Sequence, residues 1–180
     1  MLELAFVKGR FNNIYIVGFM GTGKTAVGKE IARQLDRKFV DLDSLIEKRQ
    51  NRKISQIFAE DGEPYFRKVE KKVLKQTSAK RDLVVSCGGG IVLDKENIRI
   101  MKDTGAMVCL SASPEVIIAR TRGYKHRPLL NVDNPKKRIK ELLEFRAPFY
   151  AQSDHTIDTS DLSVAEVAKR ILEYVRAKDA

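Results

Sequence analysis

The chain has 180 residues, of which 43% are hydrophobic, and a formal net charge of +10. This length fits a single domain over residues 1–180 with one core. No apolar run approaches the ~20 residues of a membrane span and no signal peptide opens the chain, so we expect a soluble, cytoplasmic protein.

The positive charge is typical of proteins that bind anionic small molecules or nucleic acid. Basic residues crowd the segment Arg120 to Arg127, but they match no nucleic-acid-binding module. The remaining lysines and arginines are spread over helical patterns, where a solvated face is the usual interpretation. We therefore expect small-molecule ligands, with no nucleic acid and no membrane as partner, and a monomer because no heptad pattern is present.

Five short apolar runs alternate with helical patterns, which favours an α/β fold with a parallel sheet. The predicted strands are Ile14 to Val17, Lys38 to Val40, Leu83 to Ser86, Met107 to Leu110 and His155 to Ile157. Capping patterns predict helix starts at Ser44 with Glu47, at Ser113 with Pro114, and at Ser163 with Glu166. Cys87 and Cys109 lie in apolar runs and are expected to be buried free thiols.

The segment after the first strand, Gly18 to Thr25, reads GFMGTGKT. The spacing G-x-x-x-x-G-K-T is that of a phosphate-binding loop, in which backbone N–H groups surround phosphate oxygens. Lys24 would reach the terminal phosphates, and the Thr25 hydroxyl would bind a magnesium ion. A plain glycine-rich turn is the alternative, but the order of strand, loop and amphipathic helix favours nucleotide binding.

Two carboxylates, Asp41 and Asp43, follow the second strand. Residues two apart on an extended backbone point to the same face, so both could enter one cleft at the carboxyl ends of the strands. The alternative is that Asp43 or Ser44 only caps the next helix.

Three consecutive glycines, Gly88 to Gly90, follow the third strand. Without side chains they would offer N–H groups to the oxygens of a ligand, although a simple loop bend is the alternative.

These pieces together resemble the shikimate kinase family. The matching segments, in order, are GFMGTGKT, FVDLD, IFAEDGEPYFRKVE, CGGG, RTRGYKHRPLL and ELLEFRAPFY, and they cover residues 14 to 150. The resemblance implies the P-loop kinase fold, a three-layer sandwich with a central five-stranded parallel sheet. It also implies a substrate-binding helical region at about 43–72, a mobile lid at about 122–135, and Mg²⁺ with ATP as co-substrate.

The resemblance also implies a role for each matching residue. Catalytic roles fall to Asp43, Lys24 and Arg127. The nucleotide would contact Gly21, Thr22, Gly23, Lys24, Thr25, Ala26, Arg120 and Arg127. Shikimate would contact Asp43, Arg67, Gly88, Gly89, Gly90 and Arg146, and magnesium would be held by Thr25 and Asp41.

Some of these roles have independent physical support. The planar fork of arginine binds carboxylates in a bidentate manner, so Arg67 and Arg146 could select an acid over a neutral polyol. Glu70 lies one helical turn after Arg67 and could orient it. Phe58 and Phe66 are pocket walls or plain core aromatics. Arg120 or Arg127 could instead be a solvent-exposed charge.

The leading hypothesis is therefore transfer of phosphate from ATP to the 3-hydroxyl of shikimate, in the biosynthesis of chorismate and aromatic amino acids. Two alternatives remain open at this point. One is a kinase for gluconate or another hydroxy acid, and the other is a nucleotide-dependent regulator or nucleic-acid-binding protein. The segment Asp158 to Leu162, where the family often contacts adenine, lacks the proline common there, which leaves ATP preference less secure than phosphate binding.

Overall fold

A computed structural model describes residues 12–121 and 134–179 of the chain. The strands in these ranges are β1 (Asn13–Gly18), β2 (Lys38–Asp41), β3 (Leu83–Ser86), β4 (Gly105–Ser111) and β5 (His155–Asp158). The helices are α1 (Lys24–Leu35), α2 (Leu42–Gln50), α3 (Ile54–Glu60), α4 (Gly62–Ser78), α5 (Lys95–Thr104), α6 (Pro114–Thr121), α7 (Pro135–Tyr150) and α8 (Val164–Asp179), with a short 3₁₀ turn at Ile91–Leu93.

The five strands form one sheet in the order β2-β3-β1-β4-β5, and every neighbouring pair is parallel. The predicted strands and the parallel sheet are therefore confirmed. Since β1 lies between β3 and β4, the loops that follow β1 and β3 leave the same edge of the sheet side by side. Open α/β sheets place their ligands at this edge.

Side chains alternate along β1 between two separate cores, one on each face of the sheet. Ile14 and Ile16 pack with residues of α1 and α8, whereas Tyr15 and Val17 pack with residues of α2 to α5. Both faces of a parallel sheet are normally covered by helices, because each strand is buried on both sides. This arrangement is the predicted three-layer sandwich.

Two of the three predicted helix caps are confirmed. The Ser113 hydroxyl accepts a hydrogen bond from the Val116 amide, and Ser163 and Glu166 form the reciprocal capping box. The predicted capping box at Ser44 is wrong, because β2 passes directly into α2 and the helix begins earlier. Asp41 is the N-cap, and its Oδ1 accepts the Ser44 amide at 3.0 Å.

The predicted lid lies outside the described residues, apart from its last two positions. Asn134 caps α7 through its side-chain oxygen, and Pro135 is the first residue of that helix. Within residues 12–121 and 134–179, no helix combines the length and apolar character needed to cross a bilayer.

A substitution at Gly105 tests the packing of β4 against β1. A Cβ atom at this position would overlap the carbonyl oxygen of Asn13, the residue paired with it across the two strands. Backbone atoms in a central strand cannot move aside cheaply, so Gly105→Ala should lower the free energy of unfolding by about 1–3 kcal/mol. Urea unfolding measures the effect. Asp103→Ala, on an exposed position of α5, is the control and should change it by less than about 0.5 kcal/mol.

Candidate active site

The loop between β1 and α1 has the backbone of an anion-binding loop. Gly18, Gly21 and Gly23 have φ angles of 137°, 79° and 94°. L-residues with a Cβ rarely adopt this region, so the glycines permit the turn. Helix α1 begins directly afterwards at Lys24 with Gly23 as its N-cap, and the cap makes no side-chain hydrogen bond. The first amides of a helix bind anions when no side chain occupies them.

Side chains of the loop hold its own backbone in shape. The Lys24 ammonium and the Thr22 hydroxyl each donate to the Phe19 carbonyl at 2.8 Å. Thr22 is buried, while Ala26 is exposed in the first turn of α1. The lysine is thereby held across the loop, where it can meet an anion that binds to the amides.

Thr25 and Asp41 lie together, as the sequence predicted. The Thr25 hydroxyl donates to Asp41 Oδ2 at 3.1 Å, while the other Asp41 oxygen caps α2. A hydroxyl and a carboxylate oxygen are the donors that Mg²⁺ prefers in nucleotide sites. This donor pair therefore fits a magnesium ion.

A single cavity of about 760 Å³ collects most of the predicted site. Its lining includes the predicted residues Lys24, Thr25, Asp41, Asp43, Arg67, Gly88, Gly89, Gly90 and Arg146, together with Phe58 and Phe66. Residues of five helices (α1, α2, α3, α4 and α7), of the end of β2 and of the loop after β3 thus open onto the same space. The size is within the range of small-molecule pockets.

The acidic partners of Arg67 hold it at the cavity wall. Its guanidinium donates to Glu70 Oε2 at 2.7 Å and to Glu63 Oε1 at 2.8 Å. Glu70 is only 1% exposed, and its second oxygen has no hydrogen-bond partner in the described residues. Burial, together with a smaller effect of the nearby Asp43 carboxylate, raises the pKa of Glu70 to about 7 despite the ion pair with Arg67.

Arg146 is the second arginine of the cavity and is 4% exposed. Its guanidinium lies over the Phe19 ring, with 5.5 Å from Cζ to the ring centroid, and its Nε has no hydrogen-bond partner in the described part of the chain. The next turn of α7 supplies Tyr150, whose hydroxyl donates to the Gly89 carbonyl at 2.6 Å. A buried guanidinium with an unused N–H is suited to a carboxylate or phosphate ligand.

Two of the three glycines after β3, Gly88 and Gly90, lie where a side chain would not fit. A Cβ atom at Gly88 would stand 2.8 Å from Asp43 Oδ1 and 3.0 Å from Glu70 Oε1. At Gly90 it would overlap the Arg67 guanidinium. The glycines therefore allow two carboxylates and one cation to approach the same short stretch of backbone.

The two arginines predicted for the nucleotide end have different outcomes. Arg127 lies outside the described residues. Arg120 donates to the carbonyls of Gly21 and Thr159 at 3.4 and 2.8 Å, and it is not among the residues that line the cavity. In this structure Arg120 is therefore bound to the backbone of the phosphate loop.

Some residues beside the site were not predicted from the sequence, among them Lys53, Ser55 and Tyr150. Lys53 and Ser55 line the cavity from the start of α3, and Tyr150 contacts the glycine loop. Tyr150 could have been found, because it lies four residues after Arg146 on the same helix and so shares its face. No pattern in the sequence distinguishes Lys53 from the many surface lysines.

Known proteins that are similar in sequence and known proteins that are similar in structure include members of the same family. The shikimate kinase family model matches residues 20–176. A curated shikimate kinase from Caldanaerobacter subterraneus is 46% identical over 167 residues, which are 92% of this chain and 98% of that protein. A solved structure of the Acinetobacter baumannii shikimate kinase in complex with shikimate is 36% identical, with a TM-score of 0.90, and covers 94% of this chain and 95% of its own.

A gluconokinase from Sinorhizobium meliloti also resembles the chain, with a TM-score of 0.59 and 18% identity over 94% of this chain and 95% of its own. At that identity the likeness shows a shared fold and nothing finer. The family match, by contrast, covers residues 20–176, which include most of the phosphate loop and the arginines of α4 and α7. On this evidence the chain belongs to the shikimate kinase family.

Proposed function

We propose that this protein transfers the γ-phosphoryl group of ATP to the 3-hydroxyl of shikimate, giving shikimate 3-phosphate and ADP. One observation carries the proposal: Lys24 and Thr25 of the phosphate loop line the same cavity as Arg67 and Arg146. A donor of phosphate and an organic acid can then meet in one enclosed space. The shikimate kinase of Acinetobacter baumannii, solved with shikimate bound, supports the choice of acid.

At the nucleotide end, the amides of residues 21–26 and the Lys24 ammonium would bind the phosphates of ATP. Thr25 and Asp41 would hold Mg²⁺, which neutralises charge on the phosphate oxygens when bound. Arg127 is proposed to add a further positive charge during transfer, and this stays a prediction. Phosphoryl transfer depends mainly on such positioning and charge stabilisation.

At the acceptor end, Arg67 and Arg146 would grip the shikimate carboxylate while the ring lies against Gly88 to Gly90. Asp43 would accept a hydrogen bond from the 3-hydroxyl and take its proton as the hydroxyl oxygen bonds to the γ-phosphorus. The bond from that phosphorus to the β,γ-bridging oxygen breaks, and ADP leaves. The closeness of Asp43 to the glycine loop supports this placement of the acceptor.

The remaining expectations from the sequence stay predictions. They are a single domain with a lid, a monomeric state, a cytoplasmic location and no binding of nucleic acid or membrane. A panel of hydroxy acids tests the substrate choice directly. Phosphorylation of gluconate without phosphorylation of shikimate would contradict the proposal.

Replacing Arg146 tests the carboxylate grip. Arg146→Met removes a buried charge that pairs with the ligand, so the Kd for shikimate should rise roughly 30-fold or more, equivalent to about 2–5 kcal/mol. The Kd for ADP should stay within about threefold. Calorimetric titration measures both. Arg138→Met, on the same helix but at a surface ion pair with Glu141, is the matched control and should leave both constants unchanged.

Replacing Asp43 tests the proton acceptor. Asp43→Asn keeps the size and a hydrogen-bonding oxygen but loses the basic group, so kcat should fall by about 10²–10⁴-fold. Shikimate binding should weaken much less than kcat. A coupled ADP-release assay measures the rate. Near-normal turnover in this variant would remove the role that we propose for Asp43 while leaving the family assignment intact.

Glu70 should make stability depend on pH in a defined window. Its folded pKa of about 7 lies above the ordinary value of 4.5 expected in the unfolded chain, so its contribution to stability is greatest at low pH and is lost as pH rises through 7. Relative to Glu70→Gln, the wild-type free energy of unfolding should fall by on the order of 2–3 kcal/mol between pH 5 and pH 8.

Urea unfolding of both proteins at several pH values measures this difference. Glu63→Gln removes the exposed partner of the same guanidinium and serves as the control, with an expected effect below about 0.5 kcal/mol. A difference in the free energy of unfolding between wild type and Glu70→Gln that stays constant from pH 5 to pH 8 would contradict the raised pKa of Glu70.

A further inference from the structure

The outward carbonyl groups of the phosphate loop are bound by side chains from elsewhere in the fold. When backbone N–H groups converge on an anion, the carbonyls of the same peptides point away and need donors of their own. Arg120 Nη1 donates to the Gly21 carbonyl at 3.4 Å, and the Thr159 hydroxyl donates to the Thr22 carbonyl at 3.2 Å. Neither Arg120 nor Thr159 lines the cavity.

Thr159 is the centre of this small network and is 2% exposed. Its hydroxyl oxygen accepts from Arg120 Nη1 at 3.0 Å, and its carbonyl accepts from Arg120 Nη2 at 2.8 Å. The hydroxyl also lies 3.0 Å from the Ser111 carbonyl, but that carbonyl already accepts the Thr159 amide at 2.9 Å. The single hydroxyl proton of Thr159 can therefore be donated to the Thr22 carbonyl, because the Ser111 carbonyl already has a donor.

The network joins the phosphate loop to three elements that are distant from it in sequence. Thr159 follows β5, Ser111 ends β4, and Arg120 belongs to the last turn of α6. Each is fixed by the sheet or by helix packing, whereas the loop depends on glycines and has no regular structure of its own. Gly21 also packs closely on α6, since a Cβ there would stand 3.0 Å from Thr121 Cγ2.

We propose that Thr159 is a positioning residue for the phosphate loop. Its hydroxyl, with the Arg120 guanidinium that it orients, holds the Gly21 and Thr22 carbonyls outward so that the following amides face the phosphates of the nucleotide. The positive charge of Arg120 beside the Gly21 carbonyl also polarises that peptide group, which makes its N–H a stronger donor to the anion. This proposal rests on nucleotide binding at the loop, and it assigns Thr159 an effect on phosphate affinity that does not require contact with the ligand.

Binding of a matched set of ligands tests the proposal. Thr159→Val keeps the shape of the side chain but removes the hydroxyl, so the Kd for ADP and for tripolyphosphate should rise by about 3- to 10-fold, the loss expected for one hydrogen bond. The Kd for adenosine and for shikimate should change by less than twofold. Thr159→Ser restores the hydroxyl and should restore both phosphate affinities.

Thr77→Val is the control for loss of a buried hydroxyl. Thr77 is 4% exposed and donates to the Val73 carbonyl within α4, far along the chain from the loop. Thr77→Val should lower the free energy of unfolding about as much as Thr159→Val does, and it should leave the Kd for ADP unchanged.

Three results would overturn the proposal. The first is an unchanged Kd for ADP and tripolyphosphate in a folded Thr159→Val protein. The second is an equal loss of affinity for adenosine in that variant, which would indicate a role at the base. The third is an equal loss of affinity for ADP in Thr77→Val. If the valine variant does not fold, Arg120→Gln is measured instead, and unaltered affinity for tripolyphosphate would overturn the proposal. Failure of the wild-type protein to bind ADP would instead count against the proposed function.

Discussion

The parallel pairing of β1 with β3 is the constraint on which the site depends. Ile16 is in register with Ser86, and the Cys87 amide donates to the Ile16 carbonyl at 3.0 Å, so the two strands end at the same level. The chain leaves β1 as the phosphate loop and leaves β3 as the glycine triplet. Two segments that are 70 residues apart in sequence thereby become neighbours. Shifting this register by one residue would reverse the side-chain alternation in both cores and separate the two loops.

Buried polar side chains beside the glycine triplet are the second feature on which the proposed function depends. Arg146 and Glu70 are almost fully buried, and each keeps one polar atom without a hydrogen-bond partner in the described residues. Such groups cost stability in the free protein, because desolvation of a charge is only partly offset by one ion pair. Under the proposed function, the same groups are already in place before the acid binds, so less ordering is needed on binding. The raised pKa of Glu70 is a measurable sign of this cost.

Much of the fold and part of the site could be predicted from the sequence, and the failures have physical causes. Short apolar runs between helical patterns predicted all five strands. The signal was clearest for β1, β3 and β4, which are buried along nearly their whole length, as inner strands of a parallel sheet are. The capping box at Ser44 was predicted wrongly because local pattern does not show that β2 enters α2 without a loop, which gives the cap to Asp41. The contacts of Arg120 with the Gly21 carbonyl and of Thr159 with the Thr22 carbonyl depend on β4, β5 and α6 meeting in space. Sequence spacing carries no such information.

A crystal structure of the protein with ADP and shikimate would test most directly whether donor and acceptor share one cavity. We expect the shikimate carboxylate within hydrogen-bonding distance of both Arg67 and Arg146, and its 3-hydroxyl near Asp43 and facing the phosphate end of ADP at Lys24. Shikimate bound with its carboxylate toward Lys24, or in a different cavity from the nucleotide, would contradict the arrangement on which the proposed reaction depends.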